Sequence, residues 1–410
     1  MKVLHITTND FLGAGLCVLR IHQALLSQGI ESKVLVANKQ SQVPLVFEME
    51  PNVLPIITKP KNKFLRKVYT LLRMFGLFKN RAEKEESLMK DVHWNTLVTW
   101  FSPITEYDLL QSDLVKEADI LHLHWVAGFV DYGSFFRRIN KPIIWTLHDQ
   151  NIALGGFHYM RDKLNNYECC SKIEDRYVKL KQDAISCVKD LHIVALSNMM
   201  EEFIQKQAFL AKRPIHRIYN CVNCDIYKPI SKNLSRSVLG IPDDVIVLAF
   251  CACRLYDERK GLKDLILALE SIGNKKLAVL CIGGGNLPVE TSVTIYQTGE
   301  LNNDQLMAFV YSAADYFALP SYQEVFAQTP LEAMACGLPV IAYPCSGTSD
   351  LINASNGIIC QDFTIDSLKN GIMELLAHKY DSNVVRNYIL EDYTPEHIAQ
   401  DYINLYNSVL

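Results

Sequence analysis

Short apolar runs alternate with helical patterns, and the alternation occurs twice along this chain. The first half contains the runs KVLHIT, SKVLVAN, DILHLHW, PIIWTLH and LHIVALS, and the second half contains DVIVLAFCACR, KLAVLCIGGG, TIYQTG and ADYFALPS. Nearly unbroken apolar strands separated by helices are typical of a parallel sheet that is covered on both faces. We therefore predict an α/β chain with two βαβ domains in series, residues 1–216 and 217–388, followed by a C-terminal helix, residues 389–410, that packs back on the first domain.

Composition supports two cores and excludes several classes of protein. Apolar residues make up 49% of the 410 residues, and the formal net charge of −4 argues against a nucleic-acid binder. Twelve scattered cysteines, which include the lone C-x-x-C pair Cys221 and Cys224, fit reduced thiols better than a disulfide framework or a zinc site. The first residues read as a strand, and no run reaches the ~20 apolar residues that span a bilayer. We expect a cytoplasmic protein.

Residues 59–81 are strongly basic. They carry eight lysines and arginines and no acidic residue, with apolar side chains at helical spacing. A basic amphipathic helix can lie on an anionic membrane surface, which would make the protein peripheral on the inner face of the membrane. A surface helix that packs its apolar stripe on the first domain explains the pattern equally well.

Two carboxylates flank a predicted strand-to-helix turn in PSYQEVFAQTPLEAMACGLPV. Glu324 lies in the loop at the carboxyl end of a strand, where open α/β sheets bind ligands. The backbone N–H groups of Val325 and Phe326 precede a helix N-terminus, which favours phosphate oxygens. Thr329 and Glu332 have the form of a capping box, so Glu332 has a structural explanation as well as a functional one.

A second cluster of charge is predicted at the same sheet edge. Arg254 ends the strand AFCACR, and Lys260 opens the next helix. A cation at a helix N-terminus opposes the macrodipole, and a bound anion would resolve that conflict. A solvated loop lysine is the alternative interpretation of Lys260.

The first half of the chain offers weaker candidates. TNDFLGAG is a predicted glycine loop between strand and helix, where Gly13 and Gly15 allow a bound group to approach the backbone. His148 ends the strand PIIWTLH. His122 and His124 share one face of a strand, and without an evident third ligand they are better explained as packed core histidines than as a metal site.

These motifs together resemble a known family. PSYQEVFAQTPLEAMACGLPVIAYPCSGTSDLI is similar to the signature of retaining GT-B glycosyltransferases of family 4, in particular bacterial polysaccharide and lipopolysaccharide sugar transferases of the colanic-acid type. The motifs that precede this signature in the chain also occur in the order found in the family: HLHW, TLHDQNIALGGFHY, CRLYDERKGL and IGGG. The resemblance implies two Rossmann-like domains facing each other across a cleft, with an acceptor-binding domain in 1–216 and a nucleotide-sugar-binding domain in 217–388.

The resemblance also implies roles in the second domain. Glu324 would contact the hydroxyls of the donor sugar, and Glu332 would hold the ribose hydroxyls of the nucleotide. Arg254 and Lys260 would neutralise the diphosphate leaving group. The family uses no metal or other cofactor, because cations and amides supply the electrostatic stabilisation.

The remaining implied roles lie around this centre. The amides of Val325 and Phe326 and the Gly13–Gly15 loop would assist at the diphosphate, and His148 would lie beside the donor sugar and the acceptor. In the retaining reaction, a leaving phosphate oxygen takes the proton of the acceptor. The sequence departs from the family at Val325 and Ala327, where glycines are common.

The leading hypothesis is therefore a retaining, metal-independent hexosyl- or N-acetylhexosaminyltransferase. It would move a sugar from a nucleotide diphosphate sugar to a glycan acceptor, expected to be lipid-linked, in polysaccharide or lipopolysaccharide synthesis. Two alternatives stay open: a non-catalytic nucleotide-sugar or glycan-binding protein on the same fold, and a phosphorylase or nucleotide-sugar epimerase of related fold.

Overall fold

A computed structural model describes residues 1–52, 67–68, 70–72, 81–96, 98–345 and 347–410. The chain divides into two compact units. The first contains Met1–Ala195, Glu202–Arg217 and Ile403–Leu410, and the second contains Leu196–Glu201 and Ile218–Tyr402. Most of the basic segment 59–81 lies outside the described residues, so its contact with a membrane stays a prediction.

The first unit is built on a seven-stranded parallel sheet with the order β3-β2-β1-β4-β5-β6-β7. Its strands are β1 (Lys2–Asn9), β2 (Glu31–Asn38), β3 (Val46–Glu48), β4 (Ile120–Leu123), β5 (Ile143–Leu147), β6 (Leu191–Ala195) and β7 (Ile215–Arg217). Its helices are α1 (Leu12–Ser27), α2 (Arg81–Met89), α3 (Asp113–Glu117), α4 (Tyr132–Arg138), α5 (Met160–Ile185) and the second half of α6 (Asn198–Gln205), whose first half belongs to the second unit.

The second unit is built on a six-stranded parallel sheet with the order β10-β9-β8-β11-β12-β13. Its strands are β8 (Ile246–Arg254), β9 (Leu277–Gly284), β10 (Thr294–Gly299), β11 (Tyr316–Leu319), β12 (Val340–Ala342) and β13 (Gly357–Ile359). Its helices are α7 (Lys232–Leu239), α8 (Leu262–Ile272), α9 (Asp304–Tyr311), α10 (Gln328–Ala335), α11 (Thr348–Leu351), α12 (Ile365–Ala377), α13 (Ser382–Asp392) and α14 (Pro395–Val409), whose last residues belong to the first unit.

The prediction of two βαβ domains with parallel sheets is confirmed. Central strands such as β4 and β5 are buried along their whole length, as the unbroken apolar runs indicated. Helix α8 presents Leu262, Leu265, Ile266 and Leu269 to the core of the second unit, where each is at most 2% exposed. Burial of one such side chain contributes roughly 1.5–3 kcal/mol relative to an exposed one.

Each sheet has a point where the strand order reverses. It lies between β1 and β4 in the first unit and between β8 and β11 in the second. Ligands of open α/β sheets bind outside the carboxyl ends of the strands at this point, because the crossover helices leave in opposite directions there. The fold therefore marks two sheet edges at which to look for functional side chains.

The sequence-based prediction was wrong about the start of the first helix. We expected a loop through Gly15, but α1 begins at Leu12, which has a φ of +63°, so Gly13 and Gly15 lie in its first turn. A Cβ atom on Gly15 would lie 2.6 Å from the carbonyl oxygen of Asn9, whereas one on Gly13 would meet nothing within 4 Å. Gly15 thus permits α1 to pack on the end of β1.

The C-terminal residues also differ from expectation. Residues 389–410 do not form one helix, because α13 ends at Asp392 and α14 begins at Pro395. Proline suits the first position of a helix and cannot continue one, which explains the break. No disulfide joins any of the twelve cysteines, all of which lie in the described part of the chain. None of the described helices is both long and apolar enough to cross a bilayer.

Replacing Gly15 by alanine should lower the free energy of unfolding by about 1–3 kcal/mol, because the new methyl group collides with the backbone of β1. The matched control is Gly13→Ala in the same helical turn. It should leave stability unchanged or raise it by about 0.5–1 kcal/mol, since alanine is the better helix former. Urea unfolding measures both, and equal effects of the two changes would contradict the packing of α1 described above.

Candidate active site

Two loops meet at the carboxyl edge of the second sheet. One follows β8, whose last residue is Arg254, and the other is residues 320–327, which follow β11. Because β8 and β11 are parallel neighbours, both loops leave the sheet at the same edge. This edge is the reversal point of the second sheet, and it carries four of the charged residues singled out in the sequence.

Lys260 and Glu324 form an ion pair across these loops. The ammonium of Lys260 donates a hydrogen bond to Glu324 Oε1 at 2.5 Å, and the two side chains are 30% and 11% exposed. Burial alone would lower the pKa of Lys260, but the charge of Glu324 and the hydrogen bond outweigh it and raise the pKa above its ordinary value. Lys260 is therefore a fixed cation at neutral pH.

This pair settles the conflict that the sequence raised for Lys260. Lys260 ends a 3-10 turn, Glu258–Lys260, and Gly261 then caps α8 with a φ of +72°. The anion that balances Lys260 is supplied by the chain itself, as Glu324. The alternative of a solvated loop lysine is wrong, because the side chain is mostly buried and paired.

The backbones of the two loops are also fastened together. The amide of Tyr322 donates to the carbonyl oxygen of Arg259 at 2.8 Å. A Cβ atom on Gly261 would lie only 2.0 Å from the carbonyl oxygen of Pro320, so only glycine permits this approach. The contacts fix the spacing at which Lys260 and Glu324 meet.

Arg254 differs from Lys260 in its surroundings. Its side chain is exposed, and within the described ranges no carboxylate lies in ion-pair range of it. Arginine keeps its charge at any physiological pH and can bind two phosphate oxygens at once. Of the two cations that the sequence singled out, Lys260 is thus paired and Arg254 is uncompensated.

The loop that carries Val325 and Phe326 is packed from both sides. The ring of Phe326 lies 5.2 Å from that of Tyr219 and stacks on Tyr393, and its carbonyl oxygen accepts a hydrogen bond from Asn220. Val325 and Phe326 are each 6% exposed. Although valine replaces a glycine that is common in the resembled family, the loop is closely packed.

The predicted capping box is wrong. Helix α10 begins at Gln328 with Ala327 as N-cap, and no side chain caps it, so Thr329 and Glu332 lie inside the helix. Glu332 is 5% exposed, and its carboxylate accepts a hydrogen bond from the Tyr311 hydroxyl at 3.4 Å. Because the capping explanation does not apply, Glu332 is a buried carboxylate at the sheet edge.

His148 lies at the carboxyl end of β5 in the first unit, as predicted. Burial lowers its pKa to about 4, although the neighbouring carboxylate of Asp149 acts in the opposite direction. His148 is therefore neutral at pH 7. Its Nε2 lies 3.2 Å from Nδ1 of His124.

Asp149 belongs to a network that the sequence did not reveal. Its Oδ2 lies 2.5 Å from Nδ1 of His158 and accepts a hydrogen bond from the indole of Trp125, while Oδ1 accepts from the amide of Asn151. Burial would raise the pKa of Asp149, but these partners outweigh it and lower the pKa. The network fixes the backbone immediately after His148.

A third histidine accompanies His122 and His124. His5 on β1 lies opposite His122 in the sheet register, and one ring nitrogen of each lies within 4.8 Å of the others. The histidine in the run KVLHIT was the sequence signal that could have revealed this third histidine. Hydrogen bonds nevertheless engage His122 on both nitrogens, with Tyr406 and Thr146, which favours neutral packed rings over a metal site.

Comparison with known proteins finds a family match within the second unit. Residues 246–378 match the family model described as "Glycosyl transferases group 1". Residues 246–378 are therefore similar to group 1 glycosyltransferases, and we call them the glycosyltransferase domain. An uncharacterized glycosyltransferase of Methanocaldococcus jannaschii is 25% identical over 71% of this chain and 76% of its own, and the D-inositol 3-phosphate glycosyltransferase of Thermobispora bispora is 23% identical over 83% of this chain and 76% of its own.

Solved structures with a similar fold include several enzymes that transfer sugars. Sucrose-phosphate synthase from Thermosynechococcus elongatus has a TM-score of 0.65 at 17% identity, covering 100% of this chain and 99% of its own. HepE from Anabaena, in complex with UDP and glucose, has a TM-score of 0.63 at 18% identity and covers 100% of both chains. The predicted Rossmann-like fold of both domains is confirmed.

The glycosyltransferase domain contains the paired loops described above. Its matched residues include Arg254, Lys260, Glu324 and Glu332. His148, Gly13 and Gly15 lie in the first unit, outside the matched range. The charged residues that meet at the edge of the second sheet therefore all lie within the glycosyltransferase domain.

Replacing Gly261 by alanine should separate the two loops of the glycosyltransferase domain. The left-handed backbone costs roughly 1–2 kcal/mol for any L-residue, and contact with Pro320 adds about 1–3 kcal/mol. Gly240→Ala is the matched control, because Gly240 has a φ of +68° and open space around its Cβ position.

Urea unfolding should show a larger loss of stability for Gly261→Ala than for Gly240→Ala. Transfer activity should fall only in the former, since only that change moves Lys260 relative to Glu324. Equal losses would mean that backbone strain alone governs both sites and that the loops are not pressed together.

Proposed function

We propose that this chain is a retaining glycosyltransferase that moves a sugar from a nucleotide diphosphate sugar to a glycan acceptor. The observation that carries the proposal is the Lys260–Glu324 ion pair at the reversal point of the second sheet, with Arg254 exposed beside the same edge. The family match of residues 246–378 and the UDP and glucose bound to the similar HepE support a nucleotide sugar as donor.

The proposed roles follow from the charges. Lysine has three N–H donors, of which Glu324 takes one, so Lys260 can bridge this carboxylate to a diphosphate oxygen. Arg254 contributes the uncompensated charge for the same group. The two cations stabilise the charge that develops on the leaving diphosphate, and they do so without a metal.

The carboxylates are assigned to the sugar parts of the donor. We assign Glu324 to the hydroxyls of the transferred sugar, because its hydrogen bond with Lys260 holds the carboxylate in one orientation. Glu332 is assigned to the ribose, with the Tyr311 hydroxyl orienting its carboxylate. The amides of Val325 and Phe326 and the first turn of α1 at Gly13 and Gly15 are assigned to the donor phosphates, and His148 to the reacting sugar.

The proposed reaction exchanges one bond at the anomeric carbon. The bond from this carbon to the diphosphate oxygen breaks, and a bond to the acceptor oxygen forms on the same face of the sugar. The proton of the acceptor hydroxyl passes to the leaving phosphate oxygen, so no side chain has to act as a base.

The acceptor and the location are proposed from relatives. The similar WaaG is a glycosyltransferase involved in lipopolysaccharide biosynthesis, and similar proteins include a phosphatidylinositol monomannoside mannosyltransferase of Corynebacterium glutamicum. We therefore propose a lipid-linked glycan as acceptor, and cytoplasmic action at the membrane face with residues 59–81 as the contact.

The decisive experiment measures release of nucleoside diphosphate from a panel of nucleotide sugars, with and without glycan acceptors. Glu324→Gln and Lys260→Met should each lower kcat/KM on the order of 10²–10³-fold, because each removes a fixed charge that the transition state uses. The control is Glu270→Gln at the far end of α8. The carboxylate of Glu270 accepts a hydrogen bond from the Thr291 hydroxyl. It should retain near-normal transfer.

Three outcomes would contradict the proposal. Near-normal transfer in Glu324→Gln and Lys260→Met would remove the assigned site. Binding of nucleotide sugars without any turnover across the panel would favour a non-catalytic binding protein. Conversion of the donor without an acceptor would favour a phosphorylase or an epimerase.

A further inference from the structure

Three histidines form a hydrogen-bonded row in the first unit. Nδ1 of His5 lies 3.0 Å from Nε2 of His124, and Nδ1 of His124 lies 3.2 Å from Nε2 of His148. The rings belong to β1 and to the carboxyl ends of β4 and β5, so the row crosses the reversal point of the first sheet. His5 and His124 are buried, and His148 stands half-buried at the outer end.

All three rings are neutral at pH 7. Burial lowers the pKa of His5 and His124 well below the ordinary value, and the neighbouring histidines act in the same direction. A neutral imidazole has one N–H and one lone pair. Because each contact joins Nδ1 of one ring to Nε2 of the next, the three rings must donate in the same direction along the row.

The inner end of the row decides that direction. Nε2 of His5 is buried, and no hydrogen-bond partner for it lies in the described part of the chain. If the rings donated inward, this atom would be a buried N–H without an acceptor, which is rare and costly in proteins. If they donate outward, the atom is an unpaired lone pair, which proteins tolerate better.

The direction of donation along the row therefore fixes which nitrogen of His148 carries the proton. Outward donation places a proton on Nδ1 of His5 and on Nδ1 of His124, and it leaves Nε2 of His148 as an acceptor. The single proton of the His148 ring must then lie on Nδ1, the nitrogen that does not face His124.

We propose that His5 and His124 are positioning residues that hold His148 in the Nδ1–H form, so that it offers a hydrogen-bond donor, and not a base, at the carboxyl edge of the first sheet. The group it would meet is an electronegative oxygen, such as a sugar hydroxyl or a phosphate oxygen. Only this identity of the partner rests on the proposed function. The position of the proton does not.

The test is a long-range ¹H–¹⁵N correlation spectrum of the full chain with ¹⁵N-labelled histidine, recorded without substrate. This spectrum separates protonated from unprotonated ring nitrogens, and His148→Gln identifies the signals of His148 by their loss. The wild-type protein should show His148 protonated on Nδ1 and unprotonated on Nε2. A proton on Nε2 in the wild type would overturn the proposal, whether or not the chain transfers sugar.

Two phenylalanine variants on one strand segment separate positioning from mere packing. His124→Phe keeps a ring but removes the donor to His148, so the Nδ1–H form should cease to be the only one. His122→Phe is the control, because its ring lies 4.0 Å from that of His124 but bonds Tyr406 and Thr146 instead of His148. It should preserve the Nδ1–H form.

Transfer kinetics provide a second measurement of the effect of His124→Phe. With the proposed activity, His124→Phe should lower kcat by about 10- to 100-fold with little change in KM for the donor, because His148 is present but wrongly protonated. An unchanged His148 tautomer in folded His124→Phe would contradict the positioning role. A failure of all variants and the wild type to transfer sugar would count against the proposed function alone.

Discussion

The parallel pairing of β8 with β11 is the constraint on which the second unit depends. It sends two loops away from the same sheet edge, one after Arg254 and one after Leu319. The loops are then held together by backbone contacts, and the close approach of Gly261 to Pro320 leaves no room for a larger residue. Charged side chains that are 64 residues apart in sequence, Lys260 and Glu324, meet because of this arrangement.

The ion pair has a cost and a use. A mostly buried cation is unfavourable without a partner, and the carboxylate of Glu324 compensates it before any ligand is bound. An entering diphosphate then finds an ammonium that is already oriented, and it does not have to overcome the disorder of a free lysine chain. Preorganised charge of this kind is the main means by which enzymes stabilise developing anions.

The sequence predicted the central strands well because strands buried on both faces leave long apolar runs, whereas the short edge strands β3, β7 and β13 were not among the predicted runs. The runs around Ile143–Leu147 and Leu277–Gly284 are unambiguous for this reason. Helix starts were less predictable. Phe11 and Ala327 precede α1 and α10 without a side-chain cap, so the usual signals were absent at one and misleading at the other, where Thr329 and Glu332 imitated a capping box.

The partner of Lys260 could not be read from spacing, since it depends on which strands are neighbours. The same holds for His5, which lies beside His122 only because β1 pairs with β4.

The central claim is that the Lys260–Glu324 edge of the glycosyltransferase domain receives the diphosphate of a sugar donor. A crystal structure of the chain grown with UDP, ADP or GDP tests it most directly. The account predicts a nucleotide whose diphosphate lies within hydrogen-bond distance of Lys260 and Arg254, with its ribose on Glu332. A nucleotide bound elsewhere, with the side chains of Lys260 and Arg254 out of contact with phosphate, would contradict it.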